Sequence, residues 1–228
     1  MKQWVMFSQR IGGILFGLFL CGLGFYFSIQ ANIGLAPWDA FNMGCSNVTG
    51  ISYGNVSVLS GLIILAVDVL MHEKIGVGTI LNTLIIGKVV DLLQWIDFLP
   101  RQENFFIGVA MLLLGQELIC IGTYFYIRGG LGGGPRDSLM VAIGKRLPRI
   151  PVGAIRGAIE ATVLLIGWLM GAKVGLGTVI AVFGISFLLE STFRLFRFDV
   201  KSLRHETVVQ TILRLKAGDW GKEETEAA

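Results

Sequence analysis

Six runs of apolar residues, each long enough to cross a bilayer as a helix, occupy most of this 228-residue chain. They cover approximately 11–30, 53–71, 76–98, 105–127, 152–170 and 175–195. Hydrophobic residues make up 54% of the chain, charged residues only 15%, and the mean hydropathy is +0.70. A water-soluble globule of this size has too little interior to hide that much apolar surface. Disordered chains are poor in apolar residues, so disorder is excluded too. The reading that remains is an all-α membrane protein with the lipid bilayer as its first partner. The apolar run after Lys2 and Arg10 invites comparison with a signal peptide, but it is too long for one and is read as a retained first span.

Two shorter stretches, 37–49 and 135–147, follow the first and fourth spans. Each begins at a proline and is too short and too polar for an ordinary span. The placement of Lys and Arg sets the expected orientation. With the N-terminus in the cytoplasm, the inner side receives Lys2, Arg10, Lys74, Arg128, Arg136, Lys145, Arg146, Arg149 and a basic tail. The outer side receives only Arg101 and Lys173. This asymmetry predicts six spans with both termini inside. Counting the short stretches as spans would put the 145–149 cluster outside. In the tail, Val208, Val209, Ile212 and Leu215 share one helical face, which predicts an amphipathic helix, either resting on the membrane surface or solvated. The closing GKEETEAA is expected to be disordered.

The chain also repeats itself. IGLAPWD (33–39) matches LGGGPRD (131–137) at an offset of 98, with Gly17/Gly115, Gly24/Gly122 and Tyr26/Tyr124 in step. The offset then becomes 99: Gly54/Gly153, KIGVGT (74–79) with KVGLGT (173–178), and Asp91/Glu190. The predicted organisation is a first membrane repeat over 10–99, a second over 104–196 and a cytoplasmic tail over 197–228. Each repeat holds three spans plus one short Pro-initiated helix. Three is odd, so the second copy enters the membrane inverted, as in many secondary transporters.

The G-x-x-P-x-D segment after the first span, the TG-x-x-x-G at Thr49–Gly54 and the K-x-G-x-GT before the third span resemble the YczE/YyaS/YitT group of bacterial integral membrane proteins, the YczE branch in particular. The resemblance covers roughly residues 10–195. The second copy departs from the pattern, with Arg136 where the first has Trp38 and no TG before Gly153. The resemblance implies a multi-pass protein of the bacterial inner membrane and carries over no substrate or catalytic residue.

In the Pro-x-Asp elements, Pro37 and Pro135 suit the first helical position, where a missing N–H costs nothing. Asp39 and Asp137 then complement the helix dipole from the first turn. Gly34, Gly132 and Gly134 permit sharp re-entry of the chain. Either these are well-capped helix starts at the interface, or both segments are re-entrant and line a cavity. Acidic first turns favour a cation, a proton or an amine there, while Arg136 could neutralise Asp137 or receive an anion. The Gly-x-Gly-Thr elements (Gly76, Gly78, Thr79 and Gly175, Gly177, Thr178) read as helix entries with a Thr cap and close packing rather than as phosphate loops.

Ionisable residues inside spans are expensive in hydrocarbon and mark candidate pathways. Lys88 and Asp91 are three apart and can face one another; Arg156 and Glu160 are four apart. Glu190 is the repeat partner of Asp91. Asp68 lies near the cytoplasmic end of the second span, within reach of the interface. Glu117 is central in the fourth span with no opposite charge one turn away, which makes it the leading proton-carrier candidate. The bland alternatives are structural ion pairs and, for Glu117, a hydrogen bond across helices. Trp4, Tyr26, Tyr53, Trp95, Tyr124 and Tyr126 fall near predicted span ends and read as interfacial anchors. Trp38 is a pathway candidate whose competing reading is the same.

No metal or cofactor is expected: three cysteines and two histidines lack ligand spacing. No basic block set among aromatics suggests nucleic acid, and no intramembrane catalytic constellation suggests an enzyme. The leading expectation is a small secondary transporter, proton-coupled, of a small cation, amine or metabolite, complete in one chain or assembled as a homodimer. The alternative is a membrane scaffold or regulatory factor that acts on a partner protein.

Overall fold

The computed structural model describes residues 2–198 and 206–217. They form helices α1 (Lys2–Gln30), α2 (Pro37–Thr49), α3 (Tyr53–Leu70), α4 (Val77–Ile96), α5 (Phe105–Arg128), α6 (Pro135–Arg146), α7 (Val152–Leu169), α8 (Leu176–Leu195) and α9 (Val208–Ala217). Six of them, α1, α3, α4, α5, α7 and α8, are long and apolar enough to cross a membrane. The tail expected to be disordered, 221–228, lies outside the described residues, as do the side chains of Trp4 and Leu215.

Helix ends follow local chemistry. The Asn104 carboxamide accepts from the backbone N–H groups of Phe106 and Ile107 and opens α5. Ser52 accepts from the Asn55 N–H and opens α3. Gly50, left-handed at φ 72°, closes α2.

The centre of the molecule is the crossing of α1 and α5. Gly17 lies against Gly122, and Gly24 against Gly115, so the two backbones touch. Gly129 meets Ile14 while Gly108 meets Ala31, so the helices run antiparallel. The glycines at the repeat offset therefore build one contact surface.

Around this axis the packing is crosswise. The first short helix, α2, packs on α7, and the second, α6, packs on α3. The span α4 packs on α1, and α8 on α5. The loops interlock the same way. The Leu35 N–H donates to the Lys173 carbonyl, and the Gly177 N–H to the Ile33 carbonyl. At the opposite end the Gly78 N–H donates to the Leu131 carbonyl at 2.7 Å. Two backbone turns make these straps fit. Gly34 sits at φ 132° and Gly132 at φ 120°, where an L side chain is strained.

The hydrogen bonds also sort the loops into two ends. One end gathers the loops at 31–36, 97–102 and 170–175, through Gln30, Asn32, Gln102 and Lys173. The other gathers 72–76, 129–134 and the start of α9. The chain approaches α2 from the first end and leaves α2 at that same end, where Asn47 donates to the Gly171 carbonyl. It approaches α6 from the second end and leaves α6 at that same end, where Lys145 reaches Glu73. Neither short helix carries the chain across, which leaves six crossings.

Several aromatics expected at an interface are core residues instead. Tyr26, Tyr53, Tyr124 and Tyr126 are all buried. The Tyr26 hydroxyl donates to the Leu99 carbonyl and accepts from the Leu99 N–H, pinning the loop after α4. Tyr124 stacks on Phe196 at 4.3 Å. Trp95 is exposed. The amphipathic α9 is docked rather than solvated. The Val208 N–H donates to the Ile75 carbonyl, Thr211 is buried, and Glu206 pairs with Arg214 at 2.7 Å and with Arg10 at 4.0 Å.

Candidate functional site

The N-termini of the two short helices meet inside the molecule. The guanidinium carbon of Arg136, on α6, stands 4.9 Å from the centre of the Trp38 ring, on α2. Such stacking favours a delocalised cation over an indole face. Trp38 thus lines an internal cavity. Around this contact lies a cavity of about 300 Å³, lined by Pro37, Trp38 and Asp39 of one short helix and Pro135, Arg136 and Asp137 of the other. Its remaining walls include Tyr53 and Ser57 of α3, Asn82 and Thr83 of α4, Gln116 of α5, Arg156 and Glu160 of α7, and Val182 and Ile185 of α8.

Both short helices start at proline after a residue, Ala36 or Gly134, that offers no side-chain cap. Their first-turn N–H groups therefore look to the aspartates and to the cavity. Asp39 is only 2% exposed and accepts a hydrogen bond from the Tyr53 hydroxyl at 2.9 Å, with the Arg136 charge acting on it. One turn on, Asn42 is fully buried and accepts from Ser60, while its Nδ2 has no partner among the described residues. Asp137 is held differently. The position matching Tyr53 is Val152, so no hydroxyl reaches it from there. Asp137 is exposed, makes no side-chain hydrogen bond among the described residues, and feels the charges of Arg156, Arg136 and Glu160.

Arg156 and Glu160 form the i,i+4 ion pair expected of them, at 2.8 Å, on the cavity wall. Counted along the walls, three carboxylates (Asp39, Asp137, Glu160) face two guanidiniums (Arg136, Arg156). Two helix N-termini add roughly half a positive charge each, so formal charge is near balance. Gln116 is buried with its Oε1 unpartnered, and Asp137 accepts no hydrogen bond among the described residues. Arg136, which makes no hydrogen bond among the described residues, supplies donors to the same space, so acceptors and donors both stand open there. An ammonium, with three N–H groups, suits the open acceptors.

Other candidates lie elsewhere. Glu117 is half-buried and accepts from the Thr192 hydroxyl of α8 at 3.0 Å, off the cavity wall; its neighbour Gln116 takes the inward place. Lys88 and Asp91 do not pair. Lys88 donates to Asn55, whereas Asp91 accepts from the Ser52 hydroxyl and the Gly54 N–H and so caps α3. Glu190 pairs with Arg194 on the exposed face of α8. Asp68, expected within reach of the interface, is fully buried, with neither oxygen hydrogen-bonded among the described residues. The Gly-x-Gly-Thr elements serve the straps. The Thr178 hydroxyl accepts from the Gly175 N–H, Gly177 donates to Ile33, and Gly76, Gly78 and Thr79 pack on Leu131 and Gly132. Tyr53 and Gln116 are the site residues that sequence reasoning misses, since nothing local marks a span-end Tyr or a Gln beside a Glu as inward-facing.

Six apolar spans around a charged internal cavity define a polytopic α-helical membrane protein. The chain belongs to the family of unknown function DUF6198, which it matches over residues 8–193. It is 32% identical to the uncharacterized membrane protein YczE of Bacillus subtilis, over 72% of this chain and 76% of that one. It is 31% identical to an uncharacterized protein of Haemophilus influenzae, over 78% and 80%. Similarity to YyaS of Bacillus subtilis is 27% over 73% and 83%. No solved structure matches it.

Proposed function

We propose that the chain is a small secondary transporter, built from two inverted three-span repeats, for a small solute that carries an amine. The observation that carries this reading is the meeting of Asp39 and Asp137. They hold equivalent positions in the two repeats and line one cavity, where Asp137 and Gln116 lack hydrogen-bond donors. The antiparallel α1–α5 crossing and the crosswise packing support the inverted arrangement, with α2 and α6 as re-entrant helices entering from opposite faces. The N-terminus and tail lie on the cytoplasmic side in this reading. The straps at 33–35 with 173–177, and at 131–132 with 76–79, are the natural gates, because rocking one repeat against the other opens one strap at a time. Asp137, accessible and unbonded, replaces Glu117 as the proton-carrying candidate.

The test is thermal stability of the purified full chain in phospholipid nanodiscs, titrated with short water-soluble amines. A ligand at a hundred times its Kd stabilises the folded state by about 2.7 kcal/mol. The shift is expected to vanish in Asp137→Asn and to persist in Glu117→Gln. No shift in the natural protein, or one that survives Asp39→Asn together with Asp137→Asn, would overturn the proposal and move weight to a scaffold role.

A further inference from the structure

The cavity is not walled equally on its two sides. In the first half, α3 and α4 are sealed. A Cβ on Gly54 would strike the Gly87 carbonyl, one on Gly87 would lie 2.5 Å from the Gly54 carbonyl, and Gly61 meets Thr83. Asp91 ties the seam at its end through the Gly54 N–H at 2.7 Å. At the repeat offset of 99, the residues matching Gly54, Gly87, Gly61, Thr83 and Asp91 are Gly153, Ser186, Glu160, Val182 and Glu190. Ser186 carries the Cβ that so close an approach forbids, and Glu160 puts a long charged side chain where Gly61 has none. Glu190 turns to Arg194 instead of tying α7. Accordingly α7 and α8 do not pack together, and they are the most exposed of the six spans. A Cβ on Gly153 or Gly157, one turn apart, would meet nothing within 4 Å.

Even so, Ile159 and Glu160 of α7 and Val182 and Ile185 of α8 line the cavity. Two helices that do not pack together thus share one wall of the cavity. Their flank is built for lipid: Phe183 and Phe187 are 75% and 73% exposed, and Trp168 and Leu169 of α7 are exposed as well. The aspartates stand at the short-helix N-termini, while Ile159, Val182 and Ile185 line the α7–α8 wall beside the Arg156–Glu160 pair.

We infer that the ligand enters sideways from the bilayer through the α7–α8 seam and is a single-chain amphiphile with an amine head. The head sits at Asp39 and Asp137, and the chain runs out past Ile159, Val182 and Ile185. This rests on the cavity being the ligand site proposed above, and it adds the entry route and the substrate class.

The experiment uses the full chain in phosphatidylcholine nanodiscs containing a low mole fraction of hexadecylamine with a photoactivatable group in its chain. Labelled positions are read by peptide mass spectrometry. Labelling is expected to concentrate at 156–160 and 182–186, and to fall at least tenfold under dodecylamine at a concentration where butylamine, which fills the head site but makes no chain contacts, has little effect. Gly157→Trp fills open space, so the fold tolerates it. It is expected to cut seam labelling at least tenfold while stabilisation by short amines persists. Competition by butylamine at the same concentration as dodecylamine would show that the chain adds nothing, overturning the amphiphile assignment but leaving the cavity site standing, and undiminished labelling of Gly157→Trp would overturn the seam route. Labelling spread over Phe187, Trp168 and other outward residues, indifferent to both competitors, would overturn the amphiphile assignment. Disulfide-linked dimers of Gly157→Cys in native membranes would assign the seam to a second copy and overturn it as well.

Discussion

The α1–α5 crossing can be tested with one methyl group. A Cβ on Gly24 would lie 2.7 Å from Ile119 Cγ1 and 3.0 Å from the Ile119 N–H nitrogen, besides striking the Gly115 carbonyl. Carbon atoms at rest sit about 3.5–4.0 Å apart. Helix backbone cannot rotate aside as a side chain can, so Gly24→Ala must push α1 off α5 by roughly 1 Å to restore that spacing. Overpacking of this kind costs about 1–3 kcal/mol. Alanine also favours the helix over glycine by about 0.8–1.0 kcal/mol, which would mask part of the effect. Gly13→Ala on the same helix supplies the correction, since a Cβ there meets nothing within 4 Å. The difference between the two variants isolates the clash, about 5- to 150-fold in the unfolding equilibrium. Reversible unfolding in mixed micelles, followed by circular dichroism, measures it. Gly24→Ala with Gly115→Ala should cost less than the two single variants added, because they press on the same contact. Equal stability of Gly24→Ala and Gly13→Ala would refute the close crossing.

Gly34→Ala and Gly132→Ala are each expected to cost about 1–3 kcal/mol from backbone strain alone, read as lowered melting temperature; unchanged melting in both would refute the strap geometry. Cysteine placed at position 47 or 147, in a background without Cys21, Cys45 and Cys120, should react with a membrane-impermeant maleimide from outside for 47 and only after permeabilisation for 147. Labelling of both from one side would sink the inverted arrangement.

What is legible in the sequence and what is hidden divide along a physical line. Span number, the two short helices and their proline starts come from properties local in the chain: apolar length and the missing proline N–H. Facing is different. The fourth span is apolar nearly all round, so no periodicity distinguishes the azimuth of Glu117 from that of Gln116, although the two point about 100° apart on a helix. Lys88 and Asp91 are close enough along α4 to suggest a pair, but α3 offers Asn55, Ser52 and the Gly54 N–H as better partners. The two motif classes are legible singly. Their joining, Gly34 onto Thr178 and Gly132 onto Thr79, is a contact between remote segments, which spacing within either one does not encode.

The crosswise packing sets an order in time. While the chain is being made, α2 emerges early with Asp39 and Asn42 needing burial, yet Ala40 and Gly44 rest on Gly167 of α7. That partner leaves the ribosome roughly 130 residues later, a wait of about 6–25 s at ordinary synthesis rates. During that interval the first half has all three of its spans, and α3 already offers Tyr53 to Asp39 and Ser60 to Asn42, but the face of α2 that carries Ala40 and Gly44 has no partner. The first half is therefore an unfinished object rather than a small domain, and a nascent chain halted before residue 152 leaves one side of its short helix uncovered. Quality control in the membrane has a long window in which to recognise such a chain, and assembly ends only when the last two spans close over the first.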